Sequence, residues 1–378
     1  MSAITYPFSL DEINELVYKS CSNYNLRKIY KNKKIVIDAI NCIVNYNGEL
    51  EDNKIDKSFL LGSKKRLILA PTTEYKKFLK KFNIVLRFIF HIILRKISAN
   101  KNLLLDRNSS TISHFNLNNI CYSSRELNKN FSNKPSIIDK DYVMLYNNPI
   151  FIKYDIKDAF NSTSYSLFCN LLRNNSLEFF CGNYTYLLLI DVILNKAKYL
   201  FINNKLPQGF NTSSIIFNYI QNFIFLKVIS KMHKKTTNFF SSKEECNCGF
   251  KLIHEAYNNI SIFSNRYIDD FVISIQFNTS TKIPENCNNH FNFILNNIAD
   301  IYKKFGFTLN SSKSRISIEG RTPIKFYGLS YHRNKLLPRK IRRKLKALEH
   351  KYKTSQNKTI EFNSYYNSFV RYYNSYKT

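Results

Sequence analysis

Apolar positions along this chain change between a helical period and a two-residue period, and the changes divide it into elements. Ser9-Leu10-Asp11-Glu12 has the make-up of a helix start, and the apolar run Ile35–Ile43 follows Lys33 and Lys34, so residues 1–60 read as helical and polar. Ser63–Pro71 reads as cations leading into a short strand stopped by proline. Over 75–97 the apolar residues recur at helical intervals with Arg87, His91 and Arg95 on one stripe, which predicts an amphipathic helix with a basic face. Residues 98–148 are rich in Asn and Ser and predict loops with a short helix. Alternation returns in Pro149–Asp155 as a strand ending in an acid, followed by a turn and helices at 164–174 and 178–199.

Leu206-Pro207-Gln208-Gly209 then frames a tight loop. Thr212 or Ser213 is placed to cap a helix through Ile216, Tyr219, Phe223 and Leu226. A basic, Cys-containing connector occupies 230–256, and Asn265–Ser274 predicts a β-hairpin interrupted by Asp269 and Asp270. Phe291–Phe305 reads as a helix ended by Gly306, and Phe307–Ile318 as two short strands about a Lys-bearing turn. Lys325–Tyr331 is a further strand pair, and a basic helix starts at Pro338. The aromatics of 361–378 recur at helical intervals, where core packing accounts for them as well as base stacking does.

Composition adds a core and a partner. A chain of 378 residues suits two or three subdomains, and 44% hydrophobic content with 31 Phe and 26 Tyr can fill their cores. The formal charge of +30, from 57 basic and 27 acidic residues, points to a polyanion, nucleic acid above all. Lysine outnumbers arginine, and Asn, Ile, Tyr and Phe are abundant, so an A/T-rich genome is a second source for part of that charge. Eight cysteines without framework spacing fit a reducing, cytoplasmic setting. Cys246, Cys248, His254, Cys287 and His290 match no strong zinc pattern and read as buried or incidental. No signal peptide is read at the start, and the apolar run Phe82–Ile97 carries too many cations to span a membrane.

Two adjacent aspartates at a hairpin tip are either an ordinary turn or a cation site, since neighbouring carboxylates repel unless a cation sits between them. The cations before the strand at 66–71 likewise either hold phosphates or protect a solvated edge strand. If the strand ending at Asp155 neighbours the hairpin, three carboxylates converge. Hard oxygen ligands then suit Mg²⁺, and two ions about 4 Å apart would clamp an in-line phosphoryl displacement.

In order, the chain carries Asp155-x-x-Asp158-Ala159-Phe160, Leu206-Pro207-Gln208-Gly209-x-x-Thr212-Ser213, Tyr267-x-Asp269-Asp270, Gly306-Phe307-x-x-Asn310-x-x-Lys313 and Tyr327-Gly328-Leu329. This series resembles the palm motifs A to E of reverse transcriptases over about residues 149–332, with Lys64-Lys65-Arg66 resembling the fingers motif ahead of them. The resemblance implies an α+β right-hand polymerase fold: N-terminal region and fingers over 1–148, a palm of antiparallel sheet and helices over 149–333, and a short helical thumb over 334–378.

The same resemblance assigns metal binding, with two Mg²⁺ ions or Mn²⁺ in their place, to Asp155, the Ile156 carbonyl, Asp269 and Asp270. It places Lys64, Arg66, Asp158, Ala159, Phe160 and Gln208 at the nucleotide, Phe160 as the aromatic that excludes a 2′-hydroxyl and so selects dNTPs. Lys313 becomes the acid that protonates pyrophosphate. Tyr267, Gly209, Tyr327, Gly328, Arg342 and Arg343 would contact primer or template.

The implied activity is RNA-templated DNA synthesis, with an RNA template, a DNA or RNA primer and a cognate non-coding RNA as partners. The Pro-Gln-Gly-x-x-Thr-Ser block and Leu337–Leu345 look most like bacterial retron-type and defence-associated enzymes. The missing Asn-Ala-x-x-His block, and Phe326-Tyr327-Gly328 in place of Val-Thr-Gly, favour a stand-alone defence enzyme over a standard retron. Telomerase-type and group II intron-type enzymes, template-independent nucleotide addition, and a non-catalytic RNA-binding protein are the alternatives.

Overall fold

A computed structural model describes residues 10–21, 33–46, 55–61, 66–99, 150–180, 183–233, 260–267, 269–277, 288–318, 324–326, 329–331, 339–354, 362–363, 365–367 and 369–370. The N-terminal part holds helices α1 (Leu10–Cys21) and α2 (Lys33–Val44), strands β1 (Ile55–Leu61) and β2 (Arg66–Pro71), and helix α3 (Thr73–Ala99). Strand β3 (Ile150–Asp155) is followed by helices α4 (Tyr165–Phe180), α5 (Tyr184–Ala197) and α6 (Ser213–His233). The hairpin β4 (Ile260–Tyr267) and β5 (Asp270–Phe277) precedes helix α7 (Asn288–Lys303). Strands β6 (Arg315–Ile318), β7 (Ile324–Phe326) and β8 (Leu329–Tyr331) and helix α8 (Arg339–Thr354) complete the order.

The central sheet runs β4-β5-β3-β6 with every neighbour antiparallel. Its strands read as alternating β-branched and aromatic residues, which a pleated half-buried surface favours. Tyr154 of β3 stacks on Phe271 of β5 with ring centroids 4.7 Å apart, and Tyr302 of α7 meets both rings edge-on. Burying these large rings together fixes which side of the sheet faces the helices, because a one-residue slip would turn them all outward.

Residues 212–222, running into helix α6, are buried without a break, Asn218, Gln221 and Asn222 included, the pattern of a helix wrapped by protein on every side. It packs against α3, α4 and α7. Phe90 of α3 stacks on Tyr219 of α6 at 3.9 Å. Helix α7 ends as the sequence predicts: Gly306 adopts φ +80°, and the Phe307 N–H bonds the Tyr302 carbonyl at 3.1 Å.

Four expectations change. Residues 55–61 form a strand, not a helix, because β1 pairs with β2 from Leu61↔Arg66 back to Ile55↔Pro71; a partner strand overrides the weak local pattern. Helix α4 runs to Phe180 through Asn174-Asn175-Ser176, which reads as a break. There the Asn175 amide donates to the Tyr219 hydroxyl and the Ser176 hydroxyl to the Leu172 carbonyl, so both polar groups are satisfied inside the helix. Neither Thr212 nor Ser213 caps α6 through its hydroxyl: Thr212 Oγ1 is buried without a partner, and Ser213 Oγ donates back to the Pro207 carbonyl at 2.7 Å. Arg87 is not on an open basic face but half-buried, its Nε donating to Asn83 Oδ1 at 2.7 Å.

The predicted loops and short helix of 98–148 fall almost wholly outside the described residues, as do most of the 230–256 connector and Cys246, Cys248, His254 and Cys287. The side chains of His91, Arg95 and His290 are also outside them. Among the described residues no helix is long and apolar enough to cross a membrane.

Candidate active site

The site grows from one register. Strands β3 and β5 pair so that Asp155 lies directly opposite Asp270. Strand β4 pairs with β5 down to Tyr267↔Asp270, leaving a two-residue connection with Asp269 at its tip. The Ile156 N–H donates to the Asp269 carbonyl at 3.2 Å, which puts the Ile156 carbonyl on the same strand edge, toward the tip. Positions 155, 156, 269 and 270, separated by more than a hundred residues of chain, thus meet at one end of the sheet.

The other flank of Asp155 is built by the segment before β6. Ile156 bridges to Leu309, the Asn310 N–H donates to the Asp155 carbonyl at 2.8 Å, and Lys157 N–H donates to the Thr308 carbonyl at 2.9 Å. A tight turn then returns the Lys313 and Ser314 amides to the Asn310 carbonyl at 3.0 and 2.9 Å. That turn delivers Lys313 Nζ to Asp155 Oδ2 at 2.5 Å, with Asn310 Nδ2 3.4 Å from the same oxygen. Asp155 is 4% exposed. A nearly buried carboxylate demands a cation and donors, and this turn supplies both.

Next to Asp155, the turn 157–162 presents Asp158, exposed and at φ +47°, then buried Ala159 and half-buried Phe160. Thr163 Oγ1 donates to the Ala159 carbonyl at 2.9 Å and Ser162 N–H to the Asp158 carbonyl, so the turn is bonded from within. A left-handed aspartate is uncommon and costs about 1 kcal/mol or more. The bonds around it hold that conformation. Phe160 packs on Phe217 of α6, ring centroids 5.2 Å apart.

The Pro-Gln-Gly loop is pinned from three directions. The Leu69 N–H of β2 donates to the Gln208 carbonyl at 2.8 Å, Asn83 Nδ2 of α3 donates to the Asn211 carbonyl at 3.0 Å, and Ser213 Oγ bonds the Pro207 carbonyl. Gly209 sits at φ +113°, where a Cβ would lie 2.2 Å from the Leu69 carbonyl oxygen. The close neighbour that a side chain at this position would meet is the backbone of β2. The loop is fed by a two-residue turn, Asn203-Asn204, with both residues left-handed and Ile202 and Lys205 exchanging two 3.0 Å bonds.

Of the expected site residues, Asp155, Ile156, Asp158, Ala159, Phe160, Gln208, Gly209, Asp269 and Lys313 are described. Arg66, Tyr267, Asp270 and Arg342 enter through backbone and register alone. Lys64, Tyr327 and Gly328 lie outside the described residues; Lys64 belongs to the connection of the β1–β2 hairpin, and Tyr327-Gly328 to that of the β7–β8 hairpin, where Phe326 pairs with Leu329. Arg343 is exposed on α8. Asn83 and Phe217 belong to the construction of the site but carry no local signal of it; Asn310 stands in the fourth motif, and what the structure adds is its place beside Asp155.

Oxygen donors from Asp155, Asp269 and the Ile156 carbonyl, with Asp270 in register, suit a hard divalent cation. The position already favours positive charge, since Lys313 sits on Asp155. Among the described residues no group of three or more His, Cys, Asp and Glu side chains is assembled, the Asp270 side chain not being among them.

An antiparallel sheet backed by helices, with aspartates in register on its central strands and a basic surround, defines the palm of a nucleic-acid polymerase. The reverse transcriptase (RNA-dependent DNA polymerase) family profile matches residues 62–331, and the chain belongs to that family.

No curated protein sequence matches it. Solved structures similar to it include apo telomerase from Candida tropicalis, at 13% identity and TM-score 0.37, covering 75% of this chain and 48% of that one. Telomerase from Candida albicans in complex with a fragment of telomeric RNA is similar at 15% identity and TM-score 0.35, covering 70% and 42%. The chain thus spans about half the length of these structures, and overlaps this loose decide nothing about its activity.

Proposed function

We propose that the protein copies RNA into DNA, joining dNTPs to a primer 3′-hydroxyl by phosphoryl transfer at the Asp155–Asp269–Asp270 end of the sheet. The observation that carries this reading is the register Asp155↔Asp270 on adjacent strands, with Asp269 at the tip bonded to Ile156. A protein that only binds RNA gains nothing from bringing repelling carboxylates together. Bound here, divalent cations, Mg²⁺ foremost, would neutralise developing charge and activate the attacking hydroxyl. Asp155, Asp269, Asp270 and the Ile156 carbonyl would hold them.

The chain's own groups divide the remaining work. Lys313, delivered by the Asn310 turn, holds a proton beside the site and is the donor to the leaving pyrophosphate. The turn 158–160 and the Gln208-Gly209 loop form the floor and wall of the nucleotide site, with Lys64 and Arg66 as the cations for its phosphates. Tyr267, Tyr327, Gly328, Arg342 and Arg343 follow primer and template. Residues 1–148 act as N-terminal region and fingers, 149–333 as palm and 334–378 as a short thumb. The Pro-Gln-Gly-x-x-Thr-Ser block and the basic segment from Leu337 support a bacterial retron-type or defence-associated setting, in the cytoplasm, with a cognate non-coding RNA.

The test is extension of a primer annealed to defined RNA, with dNTPs, followed by sequencing of the product. A product complementary to the template is expected, lost with EDTA and in Asp269→Asn/Asp270→Asn. Incorporation of single dNTPs without any template, at the templated rate, would show nucleotide addition in place of copying.

A further inference from the structure

We infer that Phe217 is a positioning residue for sugar discrimination: it backs Phe160 from within the core and keeps that ring where a 2′-hydroxyl would have to pass. The inference rests on the reading of Phe160 as the residue beneath the sugar. Phe160 is half-buried in a turn, and a turn residue holds one rotamer only if something solid lies behind it. Phe217 is that backing: fully buried on α6, its centroid 5.2 Å from Phe160 and its ring tilted by 33°.

Phe217 is itself immobilised. Phe307, just after the Gly306 turn, meets it edge-on at 6.3 Å, and Phe307 contacts Tyr302, which packs on the Tyr154–Phe271 stack of the strands that carry Asp155 and Asp270. A continuous column of rings therefore ties the sugar-facing residue to the strands that bear the acids. Close-packed interiors transmit such constraints because they have no slack. Phe217 also lies one helical turn into α6, whose start is fixed by the Pro-Gln-Gly loop. Gate and loop thus share a single support.

The experiment measures kcat/KM for one dNTP and its rNTP in wild type, Phe160→Ala, Phe217→Leu, Phe217→Ala and the Phe160→Ala/Phe217→Ala double variant. Phe217→Leu keeps most of the volume and loses the flat ring, so it serves if the alanine variant does not fold. Letting Phe160 leave its rotamer should lower dNTP preference about threefold to tenfold, by raising kcat/KM for the rNTP with little change for the dNTP. In the Phe160→Ala background, removing Phe217 should change the preference no further.

Equal losses for both nucleotides in Phe217→Leu, with preference intact, would assign Phe217 to folding alone and overturn the inference. If Phe160→Ala shifts the preference and neither Phe217 variant does, the inference fails while the gate reading stands. If Phe160→Ala leaves the preference unchanged, the gate reading fails and the inference with it.

Discussion

Asp155 is served by groups from both sides of its strand, and their distances in sequence explain what could be read in advance. The acids announce themselves through the ordered motifs, because a carboxylate closing a strand and a pair at a hairpin tip read alone as either a turn or a cation site. Asn83 does not, since it works on a partner 128 residues away and looks like any other Asn in an Asn-rich chain, and Asn310 stands in a motif that does not reveal its approach to Asp155, 155 residues away. Lys313 could be placed by its resemblance to a motif, but its bond to Asp155 could not. Replacing Lys313 with Ala takes away the cation beside a nearly buried carboxylate and, on the proposed mechanism, the proton donor to pyrophosphate. A loss of about 10²-fold or more in the single-turnover rate is expected, with primer–template affinity little changed. Rapid-quench kinetics measures it, and an unchanged rate would exclude proton donation from this residue.

At the scale of elements, strong periodicity made β3, the β4–β5 hairpin, α3 and α7 legible, and the long run after the Pro-Gln-Gly loop made α6 so, while tertiary partners decided the rest. Strand β1 exists because β2 pairs with it, and α4 continues through Asn175 because Tyr219 receives that amide. Burial pushes the Tyr219 hydroxyl above its ordinary pKa, so it remains a neutral partner for Asn175. Tyr219→Phe should therefore cost about 1–3 kcal/mol in urea unfolding by stranding that amide.

Two left-handed glycines among the described residues give a sharper contrast. At Gly306 a Cβ meets nothing within 4 Å, so Gly306→Ala should cost about 1–2 kcal/mol through conformation alone and leave the KM for dNTP unchanged. At Gly209 the added Cβ must push the Leu69 carbonyl away, separating β2 from the Gln208 loop. Gly209→Ala should both lower the melting temperature and raise the KM for dNTP several-fold. Equal effects of the two variants on that KM would show that the β2–loop contact does not shape the nucleotide site.

For the whole molecule, the family was legible in five ordered motifs, whereas the packing of the C-terminal aromatics was not. Tyr352 of α8 stacks on Tyr366 at 4.2 Å, and Lys344 lies 5.1 Å over Phe369, so these rings pack against a basic helix. The formal charge of +30 predicts a strong salt dependence. The affinity for a primer–template duplex should fall by about tenfold or more between 50 and 200 mM KCl, as counterion release requires. Fluorescence anisotropy reads this, and a flat profile would remove the polyanion argument.

The register joining Asp155 to Asp270 is proposed to make a site for RNA-templated DNA synthesis. Its most direct test is primer extension on an RNA template by wild-type protein and by Asp155→Asn, with circular dichroism and duplex affinity measured on both. Wild-type protein should extend the primer, and Asp155→Asn should bind the duplex, keep its fold and lose extension by at least about 10³-fold. Extension at the wild-type rate by a folded Asp155→Asn protein would contradict the account.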